Sequence, residues 1–288
     1  MSRSLATTPQ RKSLVIRVLD DVPDIMEVDV RPVDYLVEEL LPSKSLTLWA
    51  GSDGTAKTYL AKKLAVSVAL GGHFLNRPCT RSSVLYLDYE NPDHEVKRRQ
   101  ETLAGGMVPG LKTWGTWLDP QPPQIGDSLL LKIAAKARPV MIFDPFRYAH
   151  DAEENDASEM MPIMRHLRSY ASAGATVIVL HHPAKAEGST GRGSTVIRGA
   201  VDIAYLQEMS DDGLITLRCV KNRFGGKPSI TVRPNFDSGQ FDVVDSPAVT
   251  DRKREVVALM EAIEATPGVT TNDLIAQIRI GRKRMRAA

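Results

Sequence analysis

The chain has 288 residues, 42% hydrophobic and 25% charged, a globular mixture that excludes wholesale disorder and leaves room for one large domain with an appendage. Two cysteines, Cys79 and Cys219, are too few for a disulfide framework or a four-thiolate zinc site. The net charge of +2 hides an asymmetry: residues 251–288 carry eight Lys or Arg against five acids, a basic tail that suits either a polyanionic partner or a solvated terminal helix.

The polar start, MSRSLATTPQRK, lacks the apolar core of a signal peptide, and no apolar run nears the roughly 20 residues that span a bilayer, so a cytoplasmic protein with no membrane partner is expected. Residues 1–32 read as an N-terminal arm. From Val33 a short amphipathic segment, VDYLVEELL, leads through a Pro-Ser break to a β-type run at 46–49. After a Gly-containing turn, Leu60, Leu64 and Val68 recur every four residues, a helix stopped by Gly71-Gly72. A second strand runs over 84–87, with Asn91-Pro92 as the cap and first residue of the next helix. Residues 104–127 look like loop and stay unassigned. Apolar runs at 140–143 and 177–180 give the third and fourth strands. Between them, 158–173 reads as a helix whose Pro162 is expected in the first turn, where no intrahelical N–H bond is lost.

Short, nearly continuous apolar strands alternating with helices predict a parallel sheet covered on both faces. Beyond Ala200 strands succeed one another, at 202–206, 215–220, 229–232 and 241–244, with Asp211-Asp212-Gly213 as a hairpin turn. The core is expected to end near 245. Residues 246–288 form a small module, with Val256, Val257, Met260 and Ile263 on one helical face, a Thr-Pro-Gly stop, a capping-box-like restart at Thr270, and a basic end containing Arg282, Lys283 and Arg284.

The chemistry starts at Gly51-Ser52-Asp53-Gly54-Thr55-Ala56-Lys57-Thr58, which nearly fits the phosphate-loop pattern, with Ala56 where a glycine is expected before the lysine. Such a loop needs glycines so that successive backbone N–H groups can turn inward around a phosphate, and the following helix points its positive end at the same charge. Lys57 would reach the β- and γ-phosphates of ATP, and Thr58 would place its hydroxyl on Mg²⁺. The methyl of Ala56 adds bulk at this approach. Hydrolysis further needs a carboxylate for water, a second for the metal's shell and a cation for the γ-phosphate. Candidates stand at successive predicted strand ends, where open α/β sheets bind ligands: Asp88 and Glu90, Asp144, then His181 and His182.

This ordered series resembles the RecA-like ATPases, and within them the RepA/DnaB-type group of plasmid and phage replication ATPases. The matching stretches are LLPSKSLTLWAGSDGTAKTYLAKKLAVSVALGG, VLYLDYENPDHEVKRR, PVMIFDPF, VIVLHHPAK, RGSTVIRGAVD and VKNRFGG, together spanning about residues 33–235. The resemblance implies an α/β fold with a RecA-like P-loop NTPase core and a mostly parallel central sheet, to which the C-terminal segment adds a partial winged-helix-like module. It implies that Glu90 activates the attacking water, with Asp88 as second choice, that Asp144 orients Mg²⁺ through water, and that His182 senses the γ-phosphate, with His181 as second choice. Lys221 and Arg223 would reach a neighbour's nucleotide within a homo-oligomeric ring, expected to be a hexamer. Lys185, Arg192 and Arg198, in the Gly- and Ser-rich stretch after His182, would face single-stranded DNA, aided by Arg282, Lys283 and Arg284. The activity implied is an ATP- and Mg²⁺-dependent DNA motor of the replicative helicase type. A recombination or loader ATPase without unwinding, and a nucleotide-switched DNA-binding regulator, remain as alternatives.

Overall fold

The computed structural model describes residues 18–19, 22–27, 30, 32–182 and 192–244. Residues 1–33 cluster apart from residues 34–288. In the first unit, a 3₁₀ turn at Ile25–Glu27 is capped by Asp24, whose carboxylate accepts from Met26 N at 2.8 Å.

The second unit opens with β1 (Tyr35–Val37) and β2 (Leu41–Pro42), a small antiparallel pair. The segment read as amphipathic is therefore a tight hairpin, which still buries Leu36, Val37, Leu40 and Leu41. Then follow β3 (Leu46–Gly51), α1 (Lys57–Leu70), the short hairpin β4 (His73–Phe74) and β5 (Arg77–Pro78), β6 (Val84–Asp88) and α2 (Asp93–Ala104). The chain continues with β7 (Leu111–Gly115), α3 (Ser128–Ala137), β8 (Val140–Asp144), α4 (Ala157–Ser172), β9 (Thr176–His181) and α5 (Arg192–Ala200). It closes with β10 (Ile203–Met209), β11 (Ile215–Asn222), β12 (Ser229–Asn235) and β13 (Gln240–Val244). Nine strands form one sheet in the order β13-β12-β11-β10-β3-β9-β8-β6-β7. From β10 to β7 the neighbours run parallel, and β11 to β13 add an antiparallel flank.

The strand pleat explains the apolar runs. In β8, Met141 and Phe143 join the layer with α3 and α4, while Val140 and Ile142 join the layer with α1; β9 divides Val177 and Val179 from Ile178 and Leu180 in the same way. Helix α1 is buried on nearly every side, including Leu60, Ala61, Leu64, Ala65 and Val68. Truncating Leu60, which is fully buried, to Ala would cost about 2–5 kcal/mol.

Three sequence expectations change. Residues 104–127 contain β7, an edge strand in which only Gly115 is buried, so no apolar run marked it. Helix α2 starts one residue later than expected, with Pro92 as its N-cap. Pro162 lies in the second turn of α4, because Asp156 caps the helix earlier, accepting from Ser158 N at 2.7 Å; the proline thus removes one intrahelical bond. The C-terminal module lies outside the described residues, as do Lys185, Arg282, Lys283 and Arg284.

Candidate active site

The phosphate loop joins the C-terminal end of β3 to α1. Gly51 is required by packing, since a Cβ there would sit 2.5 Å from Gln207 O. Thr55 Oγ1 donates to Ser52 O at 2.8 Å, and the Gln207 amide donates to Thr55 O while accepting from Trp49 Nε1 at 2.8 Å. Gly54 adopts φ +77°. Ala56 also occupies the left-handed region, at φ 62° and ψ 29°, which costs a non-glycine residue about 1–2 kcal/mol. Ala56 packs against the apolar layer around α1, so the departure from the glycine pattern is felt as backbone strain. Lys57 is 3% exposed and its ammonium donates to Ser52 O at 2.7 Å. Burial pushes its pKa down, opposed by the negative charges of Asp53, Asp144 and Glu90.

The acids divide into buried and exposed. Asp144, fully buried at the end of β8, accepts from Thr58 Oγ1 at 3.2 Å on one oxygen and from the Tyr86 hydroxyl on the other. Burial raises its pKa, against the hydrogen bond from Tyr86; Asp88 adds to the rise, and Lys62 and Thr58 oppose it. Asp88, its register partner on β6, is also fully buried and already engaged. It pairs with Lys62 Nζ at 3.0 Å and accepts from Asn91 N and Nδ2, each at 2.9 Å. Glu90 is exposed, close enough for its charge to act on Lys57. Of the two carboxylates at the end of β6, Glu90 is the one open to a water molecule.

The two histidines after β9 separate. His182 is half-buried, and its Nδ1 lies 2.6 Å from Asp53 Oδ1 on the phosphate loop. His181 packs instead beside Phe146, at a ring-centroid distance of 6.1 Å, with Nδ1 3.8 Å from Glu154. Burial, helped by the positive charges of His182, Lys57 and His150, lowers its pKa to about 4. His181 is therefore a neutral, inward-facing residue at pH 7.

An open pocket of about 590 Å³ runs from Gly54, Lys57, Thr58 and His182 towards Tyr59, Arg99 and Phe236. Its far end was not evident in the sequence. Phe236, in the β12–β13 turn, meets Tyr59 edge-on at 5.2 Å, and the Tyr59 hydroxyl donates to Phe236 O at 2.8 Å. Arg99 is fixed by Glu95, at 2.6 Å, and by Asn91, at 3.3 Å. Tyr86 and Lys62 were missed as well. The alternation that put Tyr86 on the same strand face as Asp88 was the available signal.

Lys221 and Arg223 stand at the other end of the sheet. Asn222 pairs with Ile203, which pairs with Thr47, four residues and about 13 Å along the strand from Gly51. Lys221 Nζ donates to the carbonyls of Arg198 (2.7 Å) and Gly199 (2.9 Å), and Arg223 donates to Gly199 O (3.1 Å) and Asp202 (3.3 Å). Asp202 also accepts from Arg168, at 2.6 Å, and from Leu46 N, at 2.9 Å. Neither cation is brought to its own chain's phosphate loop. The stretch containing Arg192 and Arg198, expected as loop, holds α5, anchored by buried Ile197 and followed by buried Val201. Arg198 is exposed.

A family profile described as an AAA domain matches residues 11–188. Among solved structures, the flagellar accessory protein FlaH from Methanocaldococcus jannaschii aligns with a TM-score of 0.51 and 19% identity, over 72% of this chain and 92% of that one. The ATPase domain of a DnaB-like helicase aligns with a TM-score of 0.55 and 15% identity, over 70% of this chain and 85% of that one. The fold is that of the RecA-like P-loop NTPases.

Proposed function

The chain belongs to the AAA domain family, and from that premise we propose that it is an ATP- and Mg²⁺-dependent motor ATPase of the replicative helicase type, working on single-stranded DNA as a ring-shaped oligomer, with a hexamer expected. The observation that carries the reading is the convergence of Lys57, Thr58, Asp144 and Glu90 on one pocket end, each from a different part of the β3–α1, β6 and β8 scaffold. The hydroxyl of Thr58 and the carboxylate of Asp144 are hard oxygen donors of the kind Mg²⁺ takes. The bound ion would offset charge on the triphosphate.

In this reading Lys57 holds the β- and γ-phosphates. Glu90 accepts a proton from water as its oxygen bonds to the γ-phosphorus, and the bond from that phosphorus to the ADP oxygen breaks. His182 senses the γ-phosphate beside the loop. Arg223, remote from its own phosphate loop, has access only to a neighbour's nucleotide, where its guanidinium would suit γ-phosphate oxygens. Lys221 accompanies it. Lys185, Arg192 and Arg198, with the basic tail residues Arg282, Lys283 and Arg284, would track the phosphates of a single strand.

A nucleotide-switched regulator is the second reading, favoured by the strained Ala56 at a position where glycine would let the loop close freely. One experiment separates them: ATPase rate with and without single-stranded DNA, beside mass measurement of the assembly. The motor reading expects DNA-stimulated turnover by an oligomer, abolished together with ATP binding in Lys57→Ala. A DNA-indifferent monomer would overturn it.

A further inference from the structure

Beneath the phosphate loop, four side chains from three elements form one buried chain. Tyr86, 1% exposed on β6, donates its hydroxyl to Asp144 Oδ2, while Thr58 donates to Oδ1 of the same carboxylate. The ring of Tyr86 is itself held. Lys62 Nζ lies 3.9 Å from the ring centroid and 3.0 Å from Asp88 Oδ2, and Lys62 is 6% exposed. A buried lysine would be expected to need an acid, and Asp88 supplies it; the cation–π contact then ties that ion pair to the ring.

A carboxylate held through one oxygen by one donor is free to turn, and either oxygen can then face a metal. With Tyr86 on Oδ2, only Oδ1 is left on the side of Thr58. We propose that Tyr86 is a positioning residue for Asp144, fixing which oxygen is presented to Mg²⁺ and its water shell, and that Lys62 holds the Tyr86 ring for this task. The inference rests on the nucleotide-site reading above. It adds two residues with no contact to the nucleotide pocket's phosphate end. Burial and the two neighbouring carboxylates keep the phenol protonated, so it remains a donor.

The test is binding of a fluorescent ATP analogue to the full chain, with Mg²⁺ and with EDTA. Wild type should bind more tightly with Mg²⁺. In Tyr86→Phe, which keeps the ring and its cation, that Mg²⁺ advantage should fall about tenfold, the range for losing a partner of a metal ligand, while metal-free affinity stays within about twofold. Lys62→Gln, which keeps the hydroxyl and offers Asp88 an amide, serves if the first variant does not fold, and should lower the same ratio by a smaller factor. Equal losses with and without Mg²⁺, or an unchanged ratio, would overturn the positioning role. A wild-type chain that binds the analogue in neither condition would instead remove the nucleotide reading, and this inference with it.

Discussion

The Nδ1 atom of His182 lies 2.6 Å from Oδ1 of Asp53, joining the end of β9 to the tip of the phosphate loop. An exposed carboxylate on a loop built to take phosphate is electrostatically unfavourable for the bound state. Asp53→Asn keeps the shape and a hydrogen bond to the imidazole but removes the charge. It should tighten ATP binding about threefold to tenfold, and the gap should narrow as salt is raised. Titration at two ionic strengths measures both; weaker binding in the variant would show that the carboxylate helps to hold the site open.

Phe236 offers a partly exposed ring, 38% accessible, at the end of the pocket away from Lys57. A nucleobase stacks on such a ring, whereas a phosphate chain gains nothing from it. Phe236→Ala should therefore weaken ATP binding about tenfold while leaving inorganic tripolyphosphate affinity unchanged. Equal losses for both ligands would mean that the substitution disturbs the loop itself.

Acid should destabilise the fold through His181. Its folded pKa is about 4, against an ordinary value of 6.5. Between these values the unfolded chain binds a proton that the folded chain refuses, so stability present above pH 6.5 is lost as the pH falls towards 4, by up to about 3 kcal/mol. Denaturant unfolding at several pH values, comparing wild type with His181→Gln, reads this directly. The variant should show the shallower decline.

Action of Arg223 across a subunit boundary has a mixing test. Arg223→Ala and Glu90→Gln chains should each be nearly inactive alone, and a mixture should regain part of the activity, since some sites then combine an intact Glu90 with a neighbour's intact Arg223. A mixture as inactive as its parents, with assembly verified by mass, would count against it.

Legibility in the sequence followed burial. Strands β3, β6, β8 and β9 are mostly buried on both faces, so composition alone marked them, and the residues at their ends could be ranked for chemistry. Edge strand β7 escaped because Lys112, Thr113 and Trp114 face partial solvent and show no run. Helix α5 was hidden by glycines and serines, which lower helix propensity but were overridden by the burial of Ile197. The pairing of Asp88 with Lys62, which separates it from Glu90, required knowing that α1 crosses β6. So did the role of Tyr86, which read simply as one more apolar residue in its strand.

The contacts of Arg223 with Asp202 and Gly199 carry a consequence for assembly. If a neighbouring nucleotide recruits this guanidinium, the event is an exchange of anionic partners, because Asp202 must release one cation while keeping Arg168. The driving force is then a difference between two similar attractions. Subunit contacts made this way are readily reversed once the γ-phosphate leaves, which gives the protein a means of letting go at the end of each turnover.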